Sequence, residues 1–98
     1  MAKKLAPVHP GEVLREKFLK PLGLSAYAVA TAVKVPRTRV ERLAREETPI
    51  TADTALRLGK YFKTEAAFWM NIQARYDIET AKDALAPVIK RIPEYKAA

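Results

Sequence analysis

With 98 residues, 49% of them hydrophobic, the chain is long enough for one domain with a modest core and too short for two. It has no cysteine, which excludes a disulfide framework and a thiolate metal site, and no apolar run or signal-peptide core that would reach or cross a membrane. Eighteen Lys+Arg against eleven Asp+Glu give a net charge of +7, which favours a polyanionic partner, nucleic acid first, for what reads as a soluble cytoplasmic protein.

In chain order, residues 1–8 are short, basic and aperiodic, and are expected to form a flexible N-terminal arm. His9-Pro10-Gly11-Glu12 opens a first helix, with Pro10 suited to the first turn and Glu12 favourable against the helix dipole. Val13, Leu14 and Phe18 supply its buried face, and the single histidine is expected to cap or pack locally. Lys20-Pro21-Leu22-Gly23-Leu24 is expected to break that helix, because Pro21 lacks an N–H and Gly23 permits a sharp reversal.

Ser25 is the N-cap of a second helix, and Val29, Ala30 and Val33 form its apolar face. Lys34 and Val35 fill a tight turn, and Pro36 stands where a third helix begins. On that helix Val40, Leu43 and Ala44 lie on one side, so the two apolar faces can bury each other with small Ala30 at the crossing. This pattern is a helix-turn-helix. The opposite side of the third helix is polar and mostly cationic.

In such a motif the second helix enters the major groove of double-stranded DNA with its N-terminal residues against base edges. That makes Arg37, Thr38, Glu41 and Arg42 the candidate readers, with Arg39 as a further DNA-binding residue and Arg45 as a backbone contact. Arginine can grip guanine bidentately, glutamate can accept from cytosine N4, and threonine can meet a thymine methyl.

Glu46-Glu47-Thr48-Pro49-Ile50 reads as a loop, and Thr51 as the cap of a fourth helix with Asp53 in its first turn. Ala55, Leu58, Gly59 and Phe62 form its inward stripe, while Arg57 and Lys60 are expected to face outward. Thr64 is the expected N-cap of a fifth helix, on which Phe68, Trp69, Ile72 and Tyr76 make an aromatic-rich stripe. Phe68 and Ile72 are expected in the core. The apolar spacing continues through Ile78, Ala81, Ala84 and Leu85 to Pro87, and residues 86–98 are expected to be an irregular C-terminal tail after a domain spanning 9–85.

This order of elements resembles the Cro/C1-type, lambda repressor-like DNA-binding domains and the xenobiotic-response-element family of regulators. The resemblance implies an all-α, compact five-helix fold. Four stretches are more specific: His9-Pro10-Gly11-Glu12-Val13-Leu14, Pro21-Leu22-Gly23-Leu24-Ser25, Ile50-Thr51-Ala52-Asp53-Thr54-Ala55-Leu56-Arg57-Leu58, and Phe68-Trp69-Met70-Asn71-Ile72-Gln73-Ala74-Arg75-Tyr76-Asp77. Together they resemble the HigA-type antitoxins over residues 8–80. The resemblance implies an antitoxin of a type II toxin–antitoxin module that neutralises a RelE-like mRNA endonuclease toxin and, as a dimer, represses its own operon. Two departures from the family pattern stand out. Lys34 occupies a turn position usually held by Gly, where the backbone is left-handed, and Glu46-Glu47 replace a glycine and a basic residue after the recognition helix.

One histidine, no cysteine, no nucleophile elbow and no phosphate-binding glycine loop leave nothing from which to assemble a catalytic site, and no cofactor is implied. A stand-alone helix-turn-helix transcriptional regulator without a toxin partner is the competing version. An RNA-binding module ranks last, without stacking aromatics on a sheet or a GXXG loop. Because one recognition helix reads only half a site, a homodimer is expected, with Trp69, Tyr76 and Ile78 of the last helix as candidate interface residues.

Overall fold

The computed structural model describes residues 6–97, among which there are five helices and no strand. Most of the basic arm expected at the N-terminus lies outside the described residues.

The first helix, α1, is continuous from Pro10 to Leu22: an α-helical turn Pro10–Val13, a π-helical stretch Leu14–Leu19 and a last turn Lys20–Leu22. The His9 ring caps it, Nδ1 accepting from the Gly11 N–H at 2.8 Å. Pro21 does not break it, contrary to expectation. The Lys20 N–H bonds back to Arg15 O, five residues away, and this widened π turn opens the backbone where a residue without an N–H follows. Gly23, at φ 64°, ends the helix two residues later.

The remaining helices are α2 (Ala26–Val33), α3 (Arg37–Ala44), α4 (Ala52–Phe62) and α5 (Ala66–Ile89). Ser25 and Thr51 cap α2 and α4 as expected, accepting from Ala28 N and Thr54 N. Thr64 does not cap α5. The cap position is Glu65, and the Thr64 hydroxyl instead accepts from the Trp69 indole Nε1 at 2.9 Å, because a fully buried indole N–H requires a partner.

Helices α1 to α4 each end in the same way. The N–H two residues past the last turn, or three past it in α3, reaches back five residues to close the end (Leu24 to Leu19 O, Val35 to Ala30 O, Glu47 to Arg42 O, Thr64 to Gly59 O), with a left-handed residue just before it. That residue is glycine only at Gly23; Lys34, Glu46 and Lys63 hold φ of 64°, 63° and 59° at the others.

The core gathers Leu14 of α1, Val29, Ala30 and Val33 of α2, Val40 and Leu43 of α3, Ile50, and Ala55 and Leu58 of α4 around Trp69 of α5. Phe18 stacks between Phe62 and Trp69, with centroids 4.6 and 5.3 Å away. Trp69 has no exposed surface, so its placement at a dimer interface is corrected: it is the largest side chain of the monomer core. Phe68, expected inside, is 41% exposed, its ring nearly perpendicular to that of Trp69, since consecutive helical residues face different ways. Tyr76 is half-buried, its ring nearly perpendicular to that of His9.

Beyond Asp77, α5 leaves the body of the protein, and it runs through Pro87 to Ile89 instead of stopping at the proline. That segment is exposed almost throughout, so no packed neighbour opposes the distortion a proline ring imposes. The projecting helix explains the radius of gyration of 17.0 Å, against about 13 Å for a compact chain of this length. Among the described residues no helix is long and apolar enough to cross a membrane.

Candidate nucleic-acid interface

Helices α2 and α3 pack through the faces their spacing implies: Val29, Ala30 and Val33 against Val40, Leu43 and Ala44, all buried. The turn between them keeps its left-handed residue although Lys34 fills it. Its geometry is secured from outside the motif by Arg57 of α4, whose Nη1 donates to Val33 O at 2.8 Å and Lys34 O at 3.2 Å. A cation at these carbonyls also suits the negative end of the α2 dipole. Arg57 is therefore half-buried in a structural role instead of facing outward as expected.

The end of α3 is held in the same manner. Arg15 of α1 donates from Nη1 to Ala44 O at 2.5 Å and from Nη2 to the Glu46 carboxylate at 3.1 Å, and its Nε pairs with Glu16 at 2.8 Å. These carboxylates push the Arg15 pKa upward, and Arg15 together with Lys20 lowers that of Glu16. Glu46, part of one of the two departures from the family pattern, is thus engaged in fastening the end of α3. The following loop is pinned by Gln73 of α5, whose buried side chain accepts from the Ile50 N–H at 2.7 Å and donates to Asp77 at 2.9 Å.

These supports leave Arg37, Thr38, Arg39, Arg42 and Arg45 exposed, with Glu41 partly so. Arg37 Nε lies 3.3 Å from Glu41, one turn on, and Arg45 Nε lies 3.5 Å from Glu47. Arg39 Nη1 donates to Asp53 Oδ1 at 2.7 Å, and Arg57 Nε donates to the same oxygen at 2.7 Å. The Arg57 guanidinium above all holds the Asp53 carboxyl below its usual range; desolvation opposes it, and Arg39 adds a lesser lowering. Arg42 alone among the four arginines of this stretch has no ion pair with a described residue. Thr38, Arg39 and Arg42 line one wall of a cleft whose other wall is Thr51, Asp53 and Thr54 at the start of α4.

Sequence spacing finds the outward arginines, but not Arg15, Arg57 and Gln73. Nothing local in the sequence marks residues that act across 23 to 29 positions. Among the described residues no group of three or more His, Cys, Asp or Glu side chains could hold a metal ion.

A tight helix pair with a buried seam, capped from neighbouring helices and carrying an exposed cationic face, defines the helix-turn-helix regulators that bind DNA. No family model matches the chain. Its likeness to known proteins is nevertheless extensive. It is 49% identical over 79 residues to virulence-associated protein I of Dichelobacter nodosus, covering 81% of this chain and 73% of that protein. It is 36% identical over 75 residues to antitoxin HigA-1 of Vibrio cholerae, covering 76% and 70%. The structure of Pseudomonas aeruginosa antitoxin HigA with the higBA promoter superposes with a TM-score of 0.86 at 44% identity, over 93% of this chain and 99% of that one. The chain belongs to the HigA family of antitoxins, helix-turn-helix regulators that are not enzymes.

Proposed function

We propose that this chain is the antitoxin of a type II toxin–antitoxin module: as a homodimer in the cytoplasm it represses its own operon by reading a palindromic operator with α3, and it neutralises a RelE-like mRNA endonuclease toxin encoded beside it. The observation that carries the reading is the exposed α3 face, where Arg37, Thr38 and Arg42 stand opposite the buried Val40 and Leu43 on a rigidly capped scaffold. The solved relative with its promoter, so similar over nearly its whole length, supports the same use of that face.

The experiment is co-expression of the chain with the product of the adjacent gene, followed by co-purification, growth rescue and a mobility shift on the DNA upstream of the pair. A stable complex, rescue and a specific shift are expected. A specific shift with neither complex nor rescue would make the chain a stand-alone regulator and overturn the antitoxin reading.

A further inference from the structure

Arg39 is the third residue of α3, within the N-terminal turn that meets base edges in this motif, yet its guanidinium leans toward α4 and bonds Asp53. Asp53 is in turn held by Arg57, and Arg57 by the carbonyls of Val33 and Lys34. A continuous set of contacts therefore runs from the motif's turn through Arg57 and Asp53 to Arg39. The Arg39 and Asp53 side chains are 43% and 55% exposed, so the pair adds little to stability but stands on the surface that DNA would approach. A long arginine without such a tether meets any phosphate within reach, and contacts of that kind carry no sequence information. The bond to Asp53 occupies only one of the five N–H donors of the guanidinium.

We propose that Asp53 is a specificity-determining residue: by holding Arg39 over the cleft between α3 and α4 it directs the guanidinium to one oriented DNA contact and withholds it from indiscriminate pairing with phosphates. Asp53 acts through Arg39 and is a positioning residue. The inference rests on the reading of α3 as the operator-binding helix.

The test compares the full-length wild type with Asp53→Asn, Arg39→Ala and the double variant, each first shown to be folded by thermal unfolding. Asp53→Ser, also suited to the first turn of a helix, stands in should Asp53→Asn fold poorly. Binding is measured by fluorescence anisotropy between about 50 and 200 mM salt. The probes are a duplex selected by the wild type from a random-sequence pool and a scrambled duplex of equal composition. Asp53→Asn is expected to bind the scrambled duplex several-fold tighter, with a salt slope steeper by about 0.9, one additional phosphate contact. Its discrimination between the two duplexes should fall about tenfold. In the Arg39→Ala background the same change should alter neither slope nor discrimination.

Wild-type slope and discrimination in Asp53→Asn would overturn the proposal. So would an equal change with and without Arg39, which is the signature of a simple gain in net charge. Should the wild type itself select no sequence, the operator reading fails and this inference with it. Selection by the wild type together with an inert Asp53→Asn removes this inference alone.

Discussion

Gly11 lies so close to the main chain of Leu43 that a Cβ on Gly11 would come 1.8 Å from the Leu43 carbonyl oxygen. One turn later, Arg15 donates to the carbonyl of Ala44. The start of α1 therefore rests directly on the last turn of the recognition helix, and the absence of a side chain at Gly11 is what permits it. Gly11→Ala should force the two helices apart and destabilise the fold by about 1–3 kcal/mol or more, as overpacking does. Circular dichroism should record a fall in melting temperature of roughly 5–20 °C for a domain of this size. An unchanged melting temperature would show that α1 does not seat on α3 in this way.

The left-handed residue of the helix-turn-helix turn makes the opposite prediction. Lys34 holds φ 64°, where a Cβ crowds the backbone and glycine does not. Its carbonyl, bound by Arg57, belongs to the main chain and survives substitution. Lys34→Gly should therefore stabilise the protein by about 0.5–1 kcal/mol, less than the full relief of strain because glycine also gains freedom in the unfolded chain. Chemical denaturation with an unchanged m-value would check it, and a loss of stability would contradict it.

Local patterning carried much of the architecture: the apolar faces of α2, α3 and α4, the Ser25 and Thr51 caps and the reversal at Gly23 are all written within a turn or two of the residues concerned. The relations that failed to show are those in which distant side chains override a local preference. Pro21 continues α1 because a π turn precedes it, Thr64 turns from capping to satisfy the Trp69 indole, and the half-buried Arg15 and Arg57 reach across to cap helices they do not belong to. The outward face of α3 was legible for the same reason that the core was, since a helix with one buried stripe has only one other side. The Asp53 tether on Arg39 was not, because it depends on how α4 is set against α3.

His9 predicts a pH dependence of stability. Its ring is buried, accepts from the Gly11 N–H and stands nearly perpendicular to the Tyr76 ring, with centroids 4.8 Å apart. Burial pushes its pKa below the ordinary 6.5; Glu46, Asp77 and Glu12 pull the other way, and Arg15 adds to the lowering. The folded chain thus takes up this proton less readily than the unfolded one. The corresponding stability is complete above pH 6.5 and is lost as pH falls from there toward the lowered folded value. Denaturation midpoints should decline between about pH 7 and pH 5 in the wild type. They should decline much less in His9→Asn, which keeps a capping oxygen without the titration. Parallel profiles for the two proteins would assign the dependence elsewhere.

The arginines of α3 should separate by role. Arg37 and Arg42 stand among the N-terminal and central outward positions of the helix, so Arg37→Ala and Arg42→Ala should each remove about 1–3 kcal/mol of discrimination against the wrong base. Arg42, which has no described ion-pair partner to shed, should show the larger effect. Arg45, past the end of the helix and beside Glu47, should weaken binding to all sequences alike when replaced by Ala. Competition mobility shifts against scrambled DNA distinguish the two outcomes. Retained wild-type discrimination in both the Arg37 and Arg42 variants would remove α3 as the reader.

Assembly provides the last prediction. With Trp69 in the core and Tyr76 leaning on His9, we propose that a second copy docks on the projecting half of α5, where Ile78 is 63% exposed and Leu85, Val88 and Ile89 are also uncovered. Ile78, Ala81, Leu85 and Val88 recur at alternating three- and four-residue steps, the spacing of a seam between paired helices. A homodimer joined there would place two α3 helices for a palindromic operator with half-sites about 34 Å apart. Ile78→Glu introduces a charge that dimerisation would bury without a partner, but that the monomer, already exposing this position, tolerates. The variant should sediment as a monomer, keep the wild-type helical content and bind operator DNA many-fold more weakly. A wild type that is monomeric at micromolar concentration, and still monomeric on DNA, would exclude this seam.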